Sequence, residues 1–158
     1  MEERFTADRN LGKLAKWLRI LGYDTLYDRG NADRNFLGRV AGEGRIALTR
    51  KRGLAGLSPL PGRLVVVTAD RVEKQIGEVV RMLGLNPDPG KRMTRCLRCN
   101  EPLEEVPKGT VDGLVPVYVY EKYERFRRCP SCRRIFWPGT HRQHMEEDFR
   151  RRSPARRP

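Results

Sequence analysis

The first ninety residues alternate between short apolar runs typical of strands and longer segments in which apolar residues recur at helical spacing. Strands are predicted at residues 4–7, 24–27, 45–48 and 64–67, and the last has the consecutive β-branched residues of a parallel strand covered on both faces. Helices are predicted from Asp8 to Gly22 and at residues 33–41 and 72–83. This order predicts an α/β fold with a small parallel sheet and flanking helices on both faces.

A segment rich in Pro and Gly, residues 86–92, interrupts this pattern and indicates a domain boundary. We therefore expect a first domain over residues 1–88 and a second over residues 91–148 that ends in a short helix. Residues 149–158, which are rich in Arg and Pro, are expected to form a disordered basic tail.

Basic residues outnumber acidic ones: 33 Lys and Arg oppose 20 Asp and Glu, which gives a formal net charge of +13. Such an excess makes a polyanion the expected partner. No apolar stretch approaches the roughly 20 residues needed to cross a bilayer, and the first residues lack the apolar centre of a signal peptide. We therefore expect no membrane association and a cytoplasmic location.

Two Cys-x-x-Cys knuckles carry the cysteines of the chain, Cys96 with Cys99 and Cys129 with Cys132. Two thiolates from each knuckle can complete a closed tetrahedral zinc site, which is structural and not catalytic. The alternatives are two disulfides or four unconnected thiols, and disulfides do not persist in a cytosolic chain. Between the knuckles, residues 114–120 and 126–128 are predicted to form hairpin strands. The sequence therefore predicts a C-terminal zinc ribbon.

Four segments of the chain read FTADRNLGKLAKWLRILGYDTLY, GRIALTRKRGL, RCLRCNEPL and CPSCRRIFWPGTHRQHM, in this order, between Phe5 and Met145. Together they resemble the Mut7-C RNase family, which is described as a PIN-like nuclease domain followed by a zinc ribbon. The resemblance implies a metal-dependent endoribonuclease in which carboxylates hold Mg²⁺ or Mn²⁺ to activate water.

The resemblance also implies that catalytic acids gather at the carboxyl ends of the parallel strands. Asp8 matches the first acid of the family, Asp33 stands where a second is expected, and Asp70 follows the fourth predicted strand. Each has an alternative role as a helix N-cap, and for Asp70 the cap is the favoured one. Asp24 and Asp28 are nearby competitors.

Lys51 is a departure from the family pattern. The string after the third strand usually reads LTRD in the family, whereas this chain has an ammonium at the last of these positions. An ammonium cannot ligate a divalent ion and repels it. A neighbouring acid could compensate, metal binding could be weakened, or Lys51 could pair with Asp8 in place of the metal. The alternative without a functional role is that Lys51 extends a solvated basic turn.

Basic side chains are expected beside the acidic centre and around the second knuckle, where they would contact phosphate. The predicted RNA-binding residues are Arg9, Lys13, Lys16, Arg50, Lys51, Arg52, Arg127, Arg128 and Trp137. Trp137 could stack on an unpaired base or belong to the core of the ribbon. His141 and His144 are expected to pack or to contact phosphate, because four thiolates already complete the shell of the zinc ion.

Two functions are therefore predicted. The first is a metal-dependent endoribonuclease acting on RNA. The second is a catalytically weakened or inactive RNA-binding adaptor, with tRNA and the ribosome as candidate targets. A DNA-binding zinc-ribbon protein is a third, less favoured interpretation, since no helix carries an evident base-reading face.

Overall fold

The computed structural model describes residues 2–139, in which the chain divides into two units at Asn100 and Glu101. The first unit extends past the predicted boundary because the following segment hydrogen-bonds back to it. The Met93 amide donates to the Ile20 carbonyl at 2.9 Å, and the Arg95 side chain donates to the Gly22 carbonyl at 3.2 Å. The predicted domain limits stay predictions, and the predicted tail lies outside the described residues.

The first unit contains a sheet of four parallel strands in the order β2-β1-β3-β4. The strands are β1 (Phe5–Ala7), β2 (Thr25–Tyr27), β3 (Ile46–Thr49) and β4 (Leu64–Val66). The helices are α1 (Gly12–Ile20), α2 (Arg34–Gly42) and α3 (Val72–Leu83). Since all strands run the same way, their carboxyl ends meet at one edge of the sheet. We call it the carboxyl edge.

Two apolar cores lie on opposite faces of this sheet, because successive side chains of a strand point to opposite sides. In β3, Leu48 packs with Leu14 of α1 and Val79 of α3, whereas Ala47 packs with Phe36 of α2. The predicted α/β class, with a parallel sheet and helices on both faces, is confirmed.

The first helix begins later than predicted. Residues Arg9–Leu11 form a single 3-10 turn, and α1 starts at Gly12. The Asp8 side chain caps that turn by accepting from the Asn10 amide, so the carboxylate remains at the end of β1.

The second unit contains an antiparallel sheet of three short strands and one short helix. The strands are β5 (Glu104–Val106), β6 (Phe126–Arg128) and β7 (Ile135–Phe136), in that order, and the helix is α4 (Val117–Lys122). Val111, Val119 and Phe126 are buried in its core. None of the helices in the described part of the chain is long and apolar enough to cross a membrane.

The prediction of a strand at residues 114–120 is wrong, since most of this segment is helical. Pro116 is the N-cap of α4, where its missing amide costs no helical hydrogen bond. Val115 and Val119, four residues apart, are buried, while Val117 between them is 72% exposed. A strand would have placed all three on one face, and the spacing of four selects a helical turn.

Candidate functional site

The four cysteines form a compact cluster in which the Sγ atoms all lie within 4.8 Å of one another. No disulfide joins any of the four, so the alternative of two disulfides is not observed. The two knuckles have the same local geometry. In each, the amide of the second cysteine donates to the sulfur of the first at 3.4 Å. Closed tetrahedral sulfur sites of this kind bind zinc, and these residues fit that ion.

The first knuckle is fastened to β2 by two side chains of the first unit. The Asn100 Oδ1 atom accepts from the Thr25 amide at 2.9 Å, and the Arg19 Nε atom donates to the Thr25 carbonyl at 2.9 Å. Arg19 also donates through Nη1 to the carbonyl of Leu97, inside the knuckle, at 2.7 Å. Burial lowers the pKa of the Arg19 guanidinium, opposed by the nearby Cys96, Cys99 and Asp24. The knuckle is therefore part of the framework of the first unit.

At the carboxyl edge, Asp8 is 1% exposed and both of its oxygens accept hydrogen bonds. Oδ1 accepts from the Asn10 amide at 2.9 Å. Oδ2 accepts from the Thr49 hydroxyl at 2.6 Å and from the Arg50 amide at 3.3 Å. The carboxylate thus joins the end of β1 to the end of β3.

The other two predicted acids have different surroundings. Asp33 is the N-cap of α2, and its Oδ1 accepts from the Phe36 amide at 2.9 Å, as the capping alternative requires. The Asp70 side chain is 93% exposed and pairs with Arg50 at 2.8 Å. The favoured alternative for Asp70 is wrong, because the N-cap of α3 is Arg71 and no side chain caps that helix.

The sequence analysis missed one buried acid, Glu78, whose carboxylate lies just after the end of β4. The Glu78 carboxylate, on α3, accepts from the amides of Thr68 and Ala69 at 3.0–3.1 Å and from the Thr68 hydroxyl at 2.7 Å. Burial opposes its charge, but these hydrogen bonds outweigh burial and the pKa of Glu78 is lowered. Its signal in the sequence was a glutamate directly before Val79 on the apolar side of α3.

The competitors Asp24 and Asp28 hold structural ion pairs. Asp24 accepts from Arg45 at 2.7 Å and from the Asn100 Nδ2 atom at 2.7 Å. Burial is the largest influence on Asp24, but these donors overcome it and its pKa is lowered. Asp28 accepts from the Gly30 amide at 2.8 Å and pairs with Arg39.

Lys51 is directed away from Asp8. Its ammonium donates to the Ala32 carbonyl at 2.9 Å. Among the ion pairs of residues 2–139, none joins Lys51 to Asp8, so the pairing considered from the sequence is not observed. The neighbouring Arg50 uses its guanidinium to bridge the Ala69 carbonyl and Asp70, each at 2.8 Å.

The family profile of the Mut7-C RNAse domain matches residues 3–149, which is nearly the whole chain. The chain belongs to the Mut7-C RNAse family. No curated protein and no solved structure matches it. The resemblance seen in the sequence motifs is therefore confirmed.

Within the described residues, the acids at the carboxyl edge of this Mut7-C chain do not come together as a cluster of three or more. Over residues 2–139, the four cysteines are the one group of three or more Cys, His, Asp or Glu residues close enough to share an ion. Asp8 is occupied by three donors and Asp70 by Arg50. The acids as arranged therefore form no all-protein site for either ion, and the catalytic roles of Asp8, Asp33 and Asp70 stay predictions.

The predicted RNA-binding residues fall into three groups. Arg9, Lys13, Lys16 and Arg52 are exposed in the first unit, whereas Arg50 and Lys51 hold the contacts described above. Arg127 and Arg128 are half-buried in β6, and Trp137 packs against the core of the second unit. His141 and His144 lie outside the described residues. The RNA-binding roles stay predictions.

Proposed function

We propose that this chain is an RNA-binding member of the Mut7-C family that cleaves RNA weakly or not at all with Mg²⁺ or Mn²⁺. The observation that carries the proposal is the state of Asp8, whose two oxygens accept hydrogen bonds from Asn10, Thr49 and Arg50. A carboxylate has about four lone-pair sites, and one with three of them taken by protein donors is a weaker ligand for a hard cation than one with all of them free. Its role here is to hold the ends of two strands together.

The charge around this edge supports binding to phosphate. Arg9 and Lys13 follow Asp8 along the chain and are exposed, and the formal net charge is +13. Exposed arginine and lysine bind nucleic acid by displacing counterions from phosphate. The proposed ligand is cytoplasmic RNA, with tRNA and ribosomal RNA as the candidates to be tested first.

The second candidate function is a metal-dependent endoribonuclease, and membership of the Mut7-C RNAse family favours it. An ion held by Asp8, Asp33 and Asp70 would supply an activated water. For that, Asp70 must leave its ion pair with Arg50, and Asp8 must exchange a protein donor for the ion. Lys51 adds a positive charge that opposes this exchange.

Binding is tested with labelled RNA titrated at increasing salt. We expect the affinity to fall steeply with salt, since each phosphate contact contributes about one counterion to the slope. Absence of binding at about 50 mM salt, or binding that is insensitive to salt, contradicts the proposal.

Cleavage is tested on four proteins: the natural chain, Lys51→Asp, Arg52→Asp and Asp8→Asn. Arg52→Asp is the matched control, because it makes the same change of charge at the adjacent exposed residue. We expect little cleavage by the natural chain and a gain of about tenfold or more with Lys51→Asp alone, because removing the ammonium lowers the cost of binding a divalent ion. Asp8→Asn should abolish any activity that is present. Robust metal-dependent cleavage by the natural chain, unchanged in Lys51→Asp, would establish the second candidate instead.

A further inference from the structure

Tyr27 places an aromatic ring at the carboxyl edge of the sheet. It is the last residue of β2 and pairs in register with Ala7, the residue before Asp8. The residue is 37% exposed.

Three neighbours fix this ring. The Tyr27 hydroxyl donates to the Arg9 carbonyl at 2.7 Å. Close by, a Cβ atom built on Gly12, the first residue of α1, would lie 3.4 Å from the ring carbon Cζ. The Arg29 guanidinium lies over the ring, 5.9 Å from its centroid, which is near the outer limit of a cation–π contact. The ring is therefore oriented by its hydroxyl, lies close to Gly12 of α1, and is covered by the exposed side chain of Arg29.

The chemistry around the ring favours a nucleobase. The exposed side chains of Arg9, Lys13 and Arg29 are all cationic, so an approaching phosphate backbone would be attracted. Aromatic rings and guanidinium planes are the surfaces on which proteins stack unpaired bases. A base inside a duplex has both faces covered by its neighbours, so an unpaired base is the one that offers a face to Tyr27 along a strand.

We propose that Tyr27 and Arg29 form a stacking site for one unpaired base of single-stranded RNA, beside Asp8 at the carboxyl edge. The inference rests on the proposed function, RNA binding, and adds the ligand class and the residues that select it. Arg29 shifts to cover the base or to contact its phosphate. The fixed hydroxyl of Tyr27 means that the ring needs little reordering when RNA binds.

The test compares a single-stranded RNA with a duplex of the same sequence on the full chain loaded with zinc. We expect Tyr27→Leu to weaken binding of the single strand by about 5- to 100-fold, the effect of losing one stacked base, and to leave duplex binding within about twofold. Tyr27→Phe keeps the ring and should stay within about threefold of the natural chain. Tyr118→Leu is the matched control at another exposed tyrosine and should change neither affinity.

Two further readouts separate stacking from a structural effect. A fluorescent purine analogue in the single strand should be quenched by the natural chain and by Tyr27→Phe, but not by Tyr27→Leu. The salt slope should be unchanged in Tyr27→Leu, since no charge is lost, and should fall by about one in Arg29→Gln.

Equal binding of the single strand by the natural chain and Tyr27→Leu overturns the inference while leaving the proposed function intact. Equal weakening of single-stranded and duplex binding by Tyr27→Leu also overturns it. Failure of the natural chain to bind either RNA overturns the proposed function, and the stacking site with it.

Discussion

Replacing Asn100 tests whether the first knuckle holds the outer strand of the sheet. The Asn100 side chain accepts from the Thr25 amide and donates to the Asp24 carboxylate, at 2.9 Å and 2.7 Å. Thr25 is 0% exposed, so water cannot replace the lost partner of its amide. An unsatisfied buried amide costs about 1–3 kcal/mol, and the bond to Asp24, which is partly accessible, adds about 1 kcal/mol.

The backbone of Asn100 adds a second, separable cost. Its φ is +65°, a left-handed conformation that Asn tolerates and Ala disfavours. We therefore expect Asn100→Gly to lower the free energy of unfolding by about 3 kcal/mol and Asn100→Ala by about 1 kcal/mol more. Asn100→Asp keeps an acceptor for the Thr25 amide but places a second carboxylate against Asp24. The free energy of unfolding of Asn100→Asp should therefore fall further below that of the natural chain between about pH 4 and pH 7, as both carboxylates ionise.

Urea unfolding monitored by the fluorescence of Trp17, which is buried in α1, measures these differences when zinc is saturating. Asn86→Ala is the control, because Asn86 is exposed and should change stability by less than about 0.5 kcal/mol. A loss below about 1 kcal/mol in Asn100→Ala, or natural stability in Asn100→Gly, would show that the knuckle does not hold β2 through this side chain.

Three more predictions address other parts of the chain. Glu78 has a lowered pKa in the fold, so its ionised form stabilises the protein above about pH 4.3 and this stabilisation is lost as the pH falls through the folded pKa. In urea unfolding, Glu78→Gln should lower the free energy of unfolding by about 2 kcal/mol at pH 7 and make it less dependent on pH in the acidic range. The same pH dependence in Glu78→Gln and the natural chain would refute this prediction. Gly22→Ala should lower the free energy of unfolding by at least about 2 kcal/mol, because φ is +97° and the added Cβ would lie 2.4 Å from the Lys91 carbonyl oxygen. The control Gly38→Ala, in an open helical position, should be neutral or stabilising. Equal effects of the two substitutions would contradict this prediction. Elemental analysis should find one zinc per chain in the natural protein and much less in Cys129→Ser, and equal zinc content would exclude the four-thiolate site.

The sequence predicted the first unit well because each of its elements carries its own local signal. The β-branched run at β4 and the apolar spacing of α3 agree with the burial that the sheet imposes. The strand prediction for residues 114–120 was wrong because local signal and packing disagree there. Its β-branched and aromatic residues favour a strand, but the core of the second unit accepts only Val115 and Val119, and tertiary packing overrides propensity.

The zinc ligands were predictable because knuckle spacing alone brings two thiolates together. The carboxyl edge was harder, because an acid near a strand end can cap a turn, pair with arginine or accept from a neighbouring strand. Asp33, Asp70 and Asp8 do these three things respectively. Glu78 reaches the edge from α3, and its position directly before Val79 on the apolar side of that helix is its one mark in the sequence.

Asn100 and Arg19 also determine where this protein can be shortened, because their side chains bind the outward amide and carbonyl of Thr25. A strand with open polar groups along its side is a template for another chain, and proteins cover such edges to avoid self-association. A fragment ending at residue 88 would keep Arg19 but lack Asn100, and it would present the Thr25 amide to other molecules. We expect that fragment to aggregate, whereas one that continues through Asn100 carries its own cover for the strand.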